Sequence, residues 1–206
     1  MTQKARRDPK LTAKGERTRQ RIVEAAAELM FRNGVADTSL EAVKEGAGVS
    51  SSQIYHYFDD KRALVMAVID YQTERVVGGQ ESMFDEFDTV DRLVKWRDVI
   101  VNHQRLLGFF GGCPLGSIGS ELAELDEHAR RRVAASFDRW EGGIRRGLTT
   151  MRQRGDLRGD PEDLALAMLA ALQGGLLLMQ VKRSTRPLEK ALDTMIEHIS
   201  SLCGAG

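Results

Sequence analysis

Residues 50–58 carry a row of hydrogen-bonding side chains on what would be one short helix. Ile54 and Phe58 lie four positions apart, so they would form its inward stripe. The outer face would then show hydroxyl, amide, imidazole and phenol groups, those of Ser51, Ser52, Gln53, Tyr55, His56 and Tyr57. A glutamine can pair with adenine through two hydrogen bonds, and serine can contact bases or phosphates. The pattern therefore indicates contact with nucleic acid, and a three-helix packing unit with a polar face is the alternative.

Two helix starts and one turn would position this row. Thr38 and Glu41 have the spacing of a capping box, in which two side chains bond the free backbone amides of a helix start. Ser50 and Gln53 repeat that spacing further along the chain. The Gly-Ala-Gly sequence at 46–48 favours a tight turn between the two helices. The stretch therefore predicts a helix-turn-helix.

A third helix would follow, capped by Asp59 or Asp60 and carrying Lys61 and Arg62 in its first turn. Cations at a helix start oppose the helix dipole, so a nearby anion such as a phosphate would explain them. The sequence therefore predicts that this helix start also faces nucleic acid.

The same residues resemble the signature of TetR-type transcriptional regulators. The resemblance covers about residues 17–71 and depends on Thr38-Ser39, Gly48-Val49-Ser50, Ile54-Tyr55-His56-Tyr57-Phe58 and Lys61. Lys44 and Tyr57 depart from the family pattern, where a small alanine and a histidine are common. The resemblance implies DNA contacts by Thr38, Ser39, Ser50, Ser51, Ser52, Gln53, Tyr55, His56, Tyr57 and Lys61.

The resemblance also implies an all-α, two-domain homodimer that binds a palindromic operator in double-stranded DNA. We expect a basic disordered arm at 1–13, a DNA-binding domain at 14–75, and a ligand-binding and dimerisation domain at 76–206. The first helix would run over 14–33, with its apolar stripe at Ile22, Ala25, Ala26, Leu29 and Met30.

The whole chain is electrically balanced, with 30 basic and 30 acidic residues among 206. A sequence-blind nucleic-acid coat would be strongly basic, so any DNA contact must come from local asymmetry such as the basic residues of 1–21. The arm could equally be a solvated tail. The two cysteines, Cys113 and Cys203, form no disulfide framework, and no apolar run follows the charged N-terminus. We therefore expect a cytoplasmic protein.

A helix predicted over 91–107 carries Trp96 and His103 seven positions apart, together with Leu93, Ile100 and Leu107 on the same side. An irregular apolar corner follows at 109–114, which includes Phe109 and Phe110. The family has ligand pockets in its second domain, so the resemblance implies a small apolar ligand contacted by Trp96, His103, Phe109, Phe110, Met168, Leu172 and Gln173. Core packing is the alternative for these residues.

Residues 113–117 and 120–122 resemble a motif of the LmrA-like branch of these regulators. Cys113 has no nearby basic residue to lower its pKa, which favours an inert buried thiol over a redox sensor.

Three more helices are predicted, over 126–154, 164–181 and 188–202. The run at 164–181 is apolar nearly all round, as in a buried helix or a membrane span. Its Gln173 and Gln180 favour a soluble helix covered by its own domain on one side and by a partner subunit on another. We therefore predict a homodimer through the last two helices and no membrane contact.

The sequence contains no P-loop, dinucleotide-binding glycine pattern or nucleophile elbow, and its four histidines lack metal-ligand spacing. We therefore expect neither an enzyme nor a cofactor or metal. The favoured function is a repressor that a ligand releases from DNA. The alternatives are a carrier or enzyme that keeps the helix-turn-helix as scaffold, and an interaction protein whose apolar C-terminal helices bind another chain.

Overall fold

The computed structural model describes residues 11–204, and the fold of that part is all-α, as predicted. Contacts divide the chain into two units, Met1–Val68 and Ile69–Gly206. Of the basic arm predicted at 1–13, residues 1–10 lie outside the described part. Thr12 is already the N-cap of the first helix, where its hydroxyl accepts a hydrogen bond from the Gly15 amide.

The first unit holds the helix-turn-helix, and the second holds the longer helices. The helices are α1 (Ala13–Asn33), α2 (Leu40–Ala47), α3 (Ser51–Tyr57), α4 (Lys61–Val76), α5 (Glu81–Phe84), α6 (Val90–Leu106), α7 (Pro114–Leu122), α8 (Glu127–Gln153), α9 (Pro161–Lys182) and α10 (Arg186–Leu202), with a 3-10 turn at Gly78–Gln80 before α5. Helix α4 begins in the first unit and ends in the second.

The core of the first unit contains the apolar stripes that the sequence predicts. Ile22 and Met30 of α1 are buried, and so are Val43 of α2 and Ile54 of α3. Gly46 is not part of the turn, because α2 continues through it to Ala47. Its missing side chain faces α1, since a Cβ at Gly46 would lie in contact with Ala25 and Leu29.

The second unit packs several elements around α8. Two glycines of α8 allow the segment before α6 to pack closely against the helix. A Cβ at Gly143 would lie 2.4 Å from the Phe84 ring. A Cβ at Gly147 would lie 2.2 Å from the carbonyl oxygen of Phe87. The rings of Phe84 and Phe87 pack edge to face at 5.3 Å between centroids. These glycines are therefore packing positions, a role that periodicity alone does not reveal.

The buried face of α6 differs from the predicted one. Leu93 and Trp96 are buried as expected, but His103 is exposed and Leu107 is 45% exposed. Gln104 is buried instead, at 6% exposure. Val101 is also buried, and at 100° per residue the face shared by Leu93, Trp96 and Val101 is centred near position 104, whereas position 103 lies about 80° away from its centre. The prediction that His103 shares this buried face is therefore wrong.

Helix α9 is covered on one side only. Its buried positions repeat at helical spacing and include Met168, Leu172 and Met179, whereas Leu177 and Val181 are 60% and 71% exposed. The helix is long and apolar enough to cross a membrane, and 44% of its most apolar window is buried inside the protein. Helix α10 lies close against it, because a Cβ at Gly175 would sit 2.9 Å from the Leu188 Cα.

Two alanine substitutions in the middle of α8 test this packing. We expect Gly147→Ala to lower the free energy of unfolding by about 1–3 kcal/mol, because the new Cβ collides with the backbone of Phe87. Gly142→Ala is the matched control, since no other element among residues 11–204 comes within 4 Å of its new Cβ. Alanine is the better helix former by about 1 kcal/mol, so this variant should be unchanged or stabilised. Urea unfolding measures both, and equal effects would contradict the packing.

Candidate DNA-binding and ligand-binding sites

Helix α2 begins one residue later than the sequence predicts. Ser39 is its N-cap and accepts a hydrogen bond from the Ala42 amide. The Thr38 hydroxyl instead donates to the carbonyl oxygen of Gly34 at 2.7 Å and is 1% exposed. The predicted Thr38–Glu41 capping box is therefore wrong. A buried and satisfied hydroxyl also contradicts the predicted contact of Thr38 with DNA.

Helix α3 begins as predicted. Ser50 accepts a hydrogen bond from the Gln53 amide at 3.2 Å, and the Gln53 side-chain oxygen accepts one from the Ser50 amide at 2.9 Å. Gly48 supplies the turn before it with left-handed backbone angles, φ 60° and ψ 46°. The capping box thus fixes both the start and the orientation of the helix that carries the polar row.

Most of this row faces solvent. Ile54 is buried, and the remaining residues of α3 before Tyr57 are exposed: Ser51, Ser52, Gln53, Tyr55 and His56. Gln53 is only partly available, because its carbonyl oxygen already serves the capping box. Its Nε2 amide remains able to donate, so Gln53 can contact a base acceptor without leaving the box. A two-bond contact with adenine would require the box to open.

The ends of the row are tied to neighbouring elements. Tyr57 is half-buried, and its hydroxyl would lie 3.5 Å from a Cβ at Gly15, so it sits beside the first turn of α1. The Lys61 ammonium donates to the carbonyl oxygen of Ala36 at 3.0 Å. Asp60 caps α4 by accepting from the Ala63 amide at 2.7 Å. The sequence missed the contacts of Tyr57 and Lys61, because their partners lie far away in the chain.

Lys44 is accommodated at the position where the family pattern has alanine. Its side chain is 26% exposed, and its ammonium forms an ion pair with Glu41 one turn earlier on α2. The lysine therefore extends toward the surface, and Glu41 pairs with it rather than capping the helix.

The predicted ligand residues lie in the second unit in different environments. Trp96 is fully buried, donates from its ring nitrogen to the Gln80 oxygen at 2.7 Å, and packs edge to face on Phe87. Phe110 is 46% exposed, and His103 is exposed. The satisfied ring of Trp96 belongs to the core cluster, and His103 points away from that core.

The other predicted ligand residues lie on α9 and in the apolar corner. Met168 and Leu172 are fully buried, and Phe109 is half-buried with a left-handed φ of 64°. Arg183, which ends α9, donates to the carbonyl oxygen of Phe109 at 3.2 Å. This bond connects the corner with the end of α9.

Gln173 of α9 reaches the start of α7. Its side-chain oxygen would lie 3.0 Å from a Cβ at Gly116, and its buried Nε2 has no hydrogen-bond partner among the described residues. Further along α9, the side-chain oxygen of Gln180 would lie 2.9 Å from a Cβ at Gly112. The two glutamines of an otherwise apolar helix therefore pack against the corner.

Cys113 caps α7 and is 8% exposed. Burial raises the pKa of its thiol, and the nearby amides of Gly116, Gln173 and Leu115 offset only part of that rise. A thiol with a raised pKa is a poor nucleophile, which agrees with the inert cysteine expected from the sequence. Among the described residues, no group of three metal-ligating side chains is arranged to hold an ion.

A polar seam between α4 and α8 escaped the sequence analysis. Arg132 donates two hydrogen bonds to Asp70 at 2.6 and 2.7 Å, and the buried hydroxyls of Thr73 and Ser136 are 2.7 Å apart. Arg139 continues the seam to Glu74, whose pKa its hydrogen bond lowers. The second half of α4 is therefore held against the first half of α8. Contacts between residues more than 60 positions apart leave no periodic signal.

Family models match both units. The model described as "Bacterial regulatory proteins, tetR family" matches residues 22–68. The model described as "Tetracyclin repressor-like, C-terminal domain" matches residues 89–195. Neither description names the LmrA-like branch, so that assignment stays a prediction.

Relatives match over most of the chain. An uncharacterised HTH-type transcriptional regulator of Mycobacterium tuberculosis is 31% identical, over 83% of this chain and 88% of that protein. The HTH-type transcriptional repressor DhaR of a Mycobacterium species is 24% identical, over 87% of this chain and 90% of that protein. The crystal structure of a TetR transcriptional regulator from Chloroflexus aurantiacus has a TM-score of 0.79 at 29% identity, over 93% and 98% of the two chains. With its helix-turn-helix and both family models matched, this chain belongs to the TetR family of DNA-binding transcriptional regulators.

Proposed function

We propose that the protein is a repressor that binds a palindromic operator as a homodimer and leaves it when a small apolar ligand enters the second unit. The observation that carries the proposal is α3, a capped helix with one buried stripe and an exposed row of hydrogen-bonding groups. A relative of similar length is named a transcriptional repressor, which supports repression over activation. Such a protein would act in the cytoplasm.

The exposed row divides by position into base contacts and phosphate contacts. Gln53 and His56 are exposed in the middle and last turn of α3 and would meet the bases, together with Ser51 and Ser52. The flanking groups would bond phosphates and fix the register on the duplex, a role we assign to Ser39, Ser50, Tyr55, Tyr57 and Lys61. Thr38 supports the module from inside, since its hydroxyl bonds the carbonyl oxygen of Gly34.

Dimerisation through the last two helices is supported by the composition of their uncovered faces. On α9 the large uncovered residues between its charged ends are leucine and valine: Leu166, Leu177, Leu178 and Val181 are 48–71% exposed. On α10 the exposed residues are polar: Lys190, Thr194, Glu197, His198 and Ser201. An apolar centre with a polar margin is the usual composition of a stable interface. In a two-fold pair, α9 would therefore form the centre and α10 the margin.

Ligand control would act through linkage. A ligand that prefers the second-unit arrangement incompatible with the operator lowers operator affinity by that preference. Met168, Leu172, Phe109 and Gln173 support a site between α9 and the corner, where Gln173 offers a buried, unpartnered N–H group. Helix α4 would connect ligand binding with DNA binding. Its first turn follows α3 in the chain, and its second half is hydrogen-bonded to α8 through Asp70 and Arg132.

Selection of bound duplexes from a random DNA library tests the function directly. We expect a palindromic winner whose affinity falls steeply with salt concentration, because each neutralised phosphate releases counterions. Uniformly weak binding with no enriched sequence would contradict a sequence-specific regulator and would favour a carrier that keeps the helix-turn-helix as scaffold.

Two substitutions at Gln53 distinguish its contribution to DNA recognition from its contribution to the stability of the fold. Gln53→Glu keeps an oxygen for the capping box but loses the Nε2 donor, whereas Gln53→Ala loses both. We expect both variants to reduce the ratio of operator to random-duplex affinity by about tenfold or more, since a base contact contributes about 1–3 kcal/mol. Only Gln53→Ala should also lower the free energy of unfolding, by about 0.5–2 kcal/mol.

Fluorescence anisotropy with both duplexes measures the ratio, and urea unfolding measures stability. Gln153→Glu on α8 controls for the added charge. If Gln53→Glu kept the wild-type ratio, Gln53 would be a capping residue and not a base contact.

One substitution on α9 tests the interface. We expect Leu177→Glu to raise the dimer dissociation constant about a hundredfold or more, because two exposed leucines per dimer would lose burial of about 1.5–3 kcal/mol each. Leu125→Glu makes the same change at a leucine that is 78% exposed and lies outside α9 and α10, so it should leave the dimer intact. Sedimentation equilibrium measures both, and an unchanged dimer in Leu177→Glu would contradict the interface.

A further inference from the structure

A concavity lies where the end of α8 meets the start of α9. The cleft has a volume of about 490 Å³ and is open to solvent. Its walls are charged or polar apart from one proline, and they consist of Arg145, Thr149, Arg152, Gln153, Asp160, Pro161 and Glu162. None of these residues belongs to the predicted ligand site near the corner. Its volume lies in the range of small-molecule sites, about 300–1,000 Å³.

The α8 wall presents donors on one helix face. Arg145, Thr149 and Arg152 are spaced by four and three positions, so their side chains project from neighbouring turns on one side. The facing wall presents acceptors, the carboxylates of Asp160 and Glu162. The cleft therefore has a cationic side on α8 and an anionic side on α9.

The charges of the two walls are only loosely paired. Arg145 approaches Glu162 at 3.8 Å and Arg152 approaches Asp160 at 3.7 Å, both beyond hydrogen-bonding distance. Most other arginines of α8 make direct hydrogen bonds, such as Arg130 to Glu127 at 2.7 Å, although Arg146 is also loosely paired, 3.8 Å from Asp85. The guanidinium donors in the cleft are therefore available, and an exposed pair this loose contributes little to stability.

The balance of charge selects the kind of ligand. Two guanidiniums and two carboxylates give the cleft no net charge, so a simple anion would be attracted by one wall and repelled by the other. A zwitterion aligned across the cleft gains on both sides, because its carboxylate meets Arg145 and Arg152 and its ammonium meets Asp160 and Glu162. The Asp160 Oδ1 atom also accepts from the Glu162 amide, which holds this carboxylate at the rim.

We propose that this cleft binds a small zwitterion, an amino acid or short peptide with free ends, as an effector distinct from the apolar ligand. The ligand carboxylate bonds the two arginines and the Thr149 hydroxyl, and its ammonium bonds the two carboxylates. Because it bridges α8 and α9, binding stabilises the second unit whether or not the protein is bound to DNA.

Calorimetric titration of the full-length protein tests the proposal with each free L-amino acid and with unblocked dialanine. We expect at least one of these probes to bind with a dissociation constant of about 1 mM or tighter. The same compound blocked as its N-acetyl derivative, or blocked as its amide, should bind about tenfold or more weakly, since each blocking removes one charge-assisted contact. Arg145→Gln and Arg152→Gln should each weaken the free compound by a similar factor.

Arg130→Gln is the matched control, because it removes an arginine from the same helix outside the cleft. Retention of binding in Arg145→Gln and Arg152→Gln would place the site elsewhere and overturn the proposal. Equal binding of the N-acetyl derivative would replace the zwitterion site with a simple anion site and also overturn it. No binding of any free probe near 1 mM would do the same.

Discussion

The exposed apolar side of α9 constrains how copies of this protein can assemble. Helices α8 and α10 cover one side of α9, with Gly175 allowing α10 to approach closely, and the other side presents Leu177 and Val181 to solvent. A soluble protein gains by covering such a face, and a two-fold partner does so with the same residues. The same symmetry would also bring two copies of α3 to one palindrome. The geometry of the dimer would then determine where both helices contact the DNA.

The recognition helix obeys a second constraint, because seven residues are too few for a helix to be stable by itself. Helix α3 depends on the Ser50–Gln53 box at its start and on the burial of Ile54 and Phe58. In the proposed complex Gln53 would therefore have two roles: its side-chain oxygen holds the start of the helix, and its Nε2 would be left to donate to a base. A glutamine that reads DNA through one donor accepts several base edges, so specificity would depend on its neighbours as well.

The sequence predicted the elements that depend on local chemistry, and it failed where two local choices compete or where partners are distant. The Ser50–Gln53 box and the helix at 188–202 follow from spacing, and the structure confirms both, with α10 at Arg186–Leu202. The hydroxyls of Thr38 and Ser39 could each cap the start of α2. Because Thr38 is buried in the fold, Ser39 is the cap. The seam of Asp70 with Arg132 joins positions 62 apart, which no pattern within a helix can reveal.

The mass of the protein–operator complex shows whether the protein binds its operator as a homodimer. Native mass spectrometry of the protein with its selected duplex, and with the same duplex cut to one half-site, counts the chains on each DNA. We predict two chains on the full palindrome, bound cooperatively, and much weaker binding to the half-site. A single chain bound with full affinity to the half-site would contradict this prediction, because the exposed side of α9 would then have no part in DNA recognition.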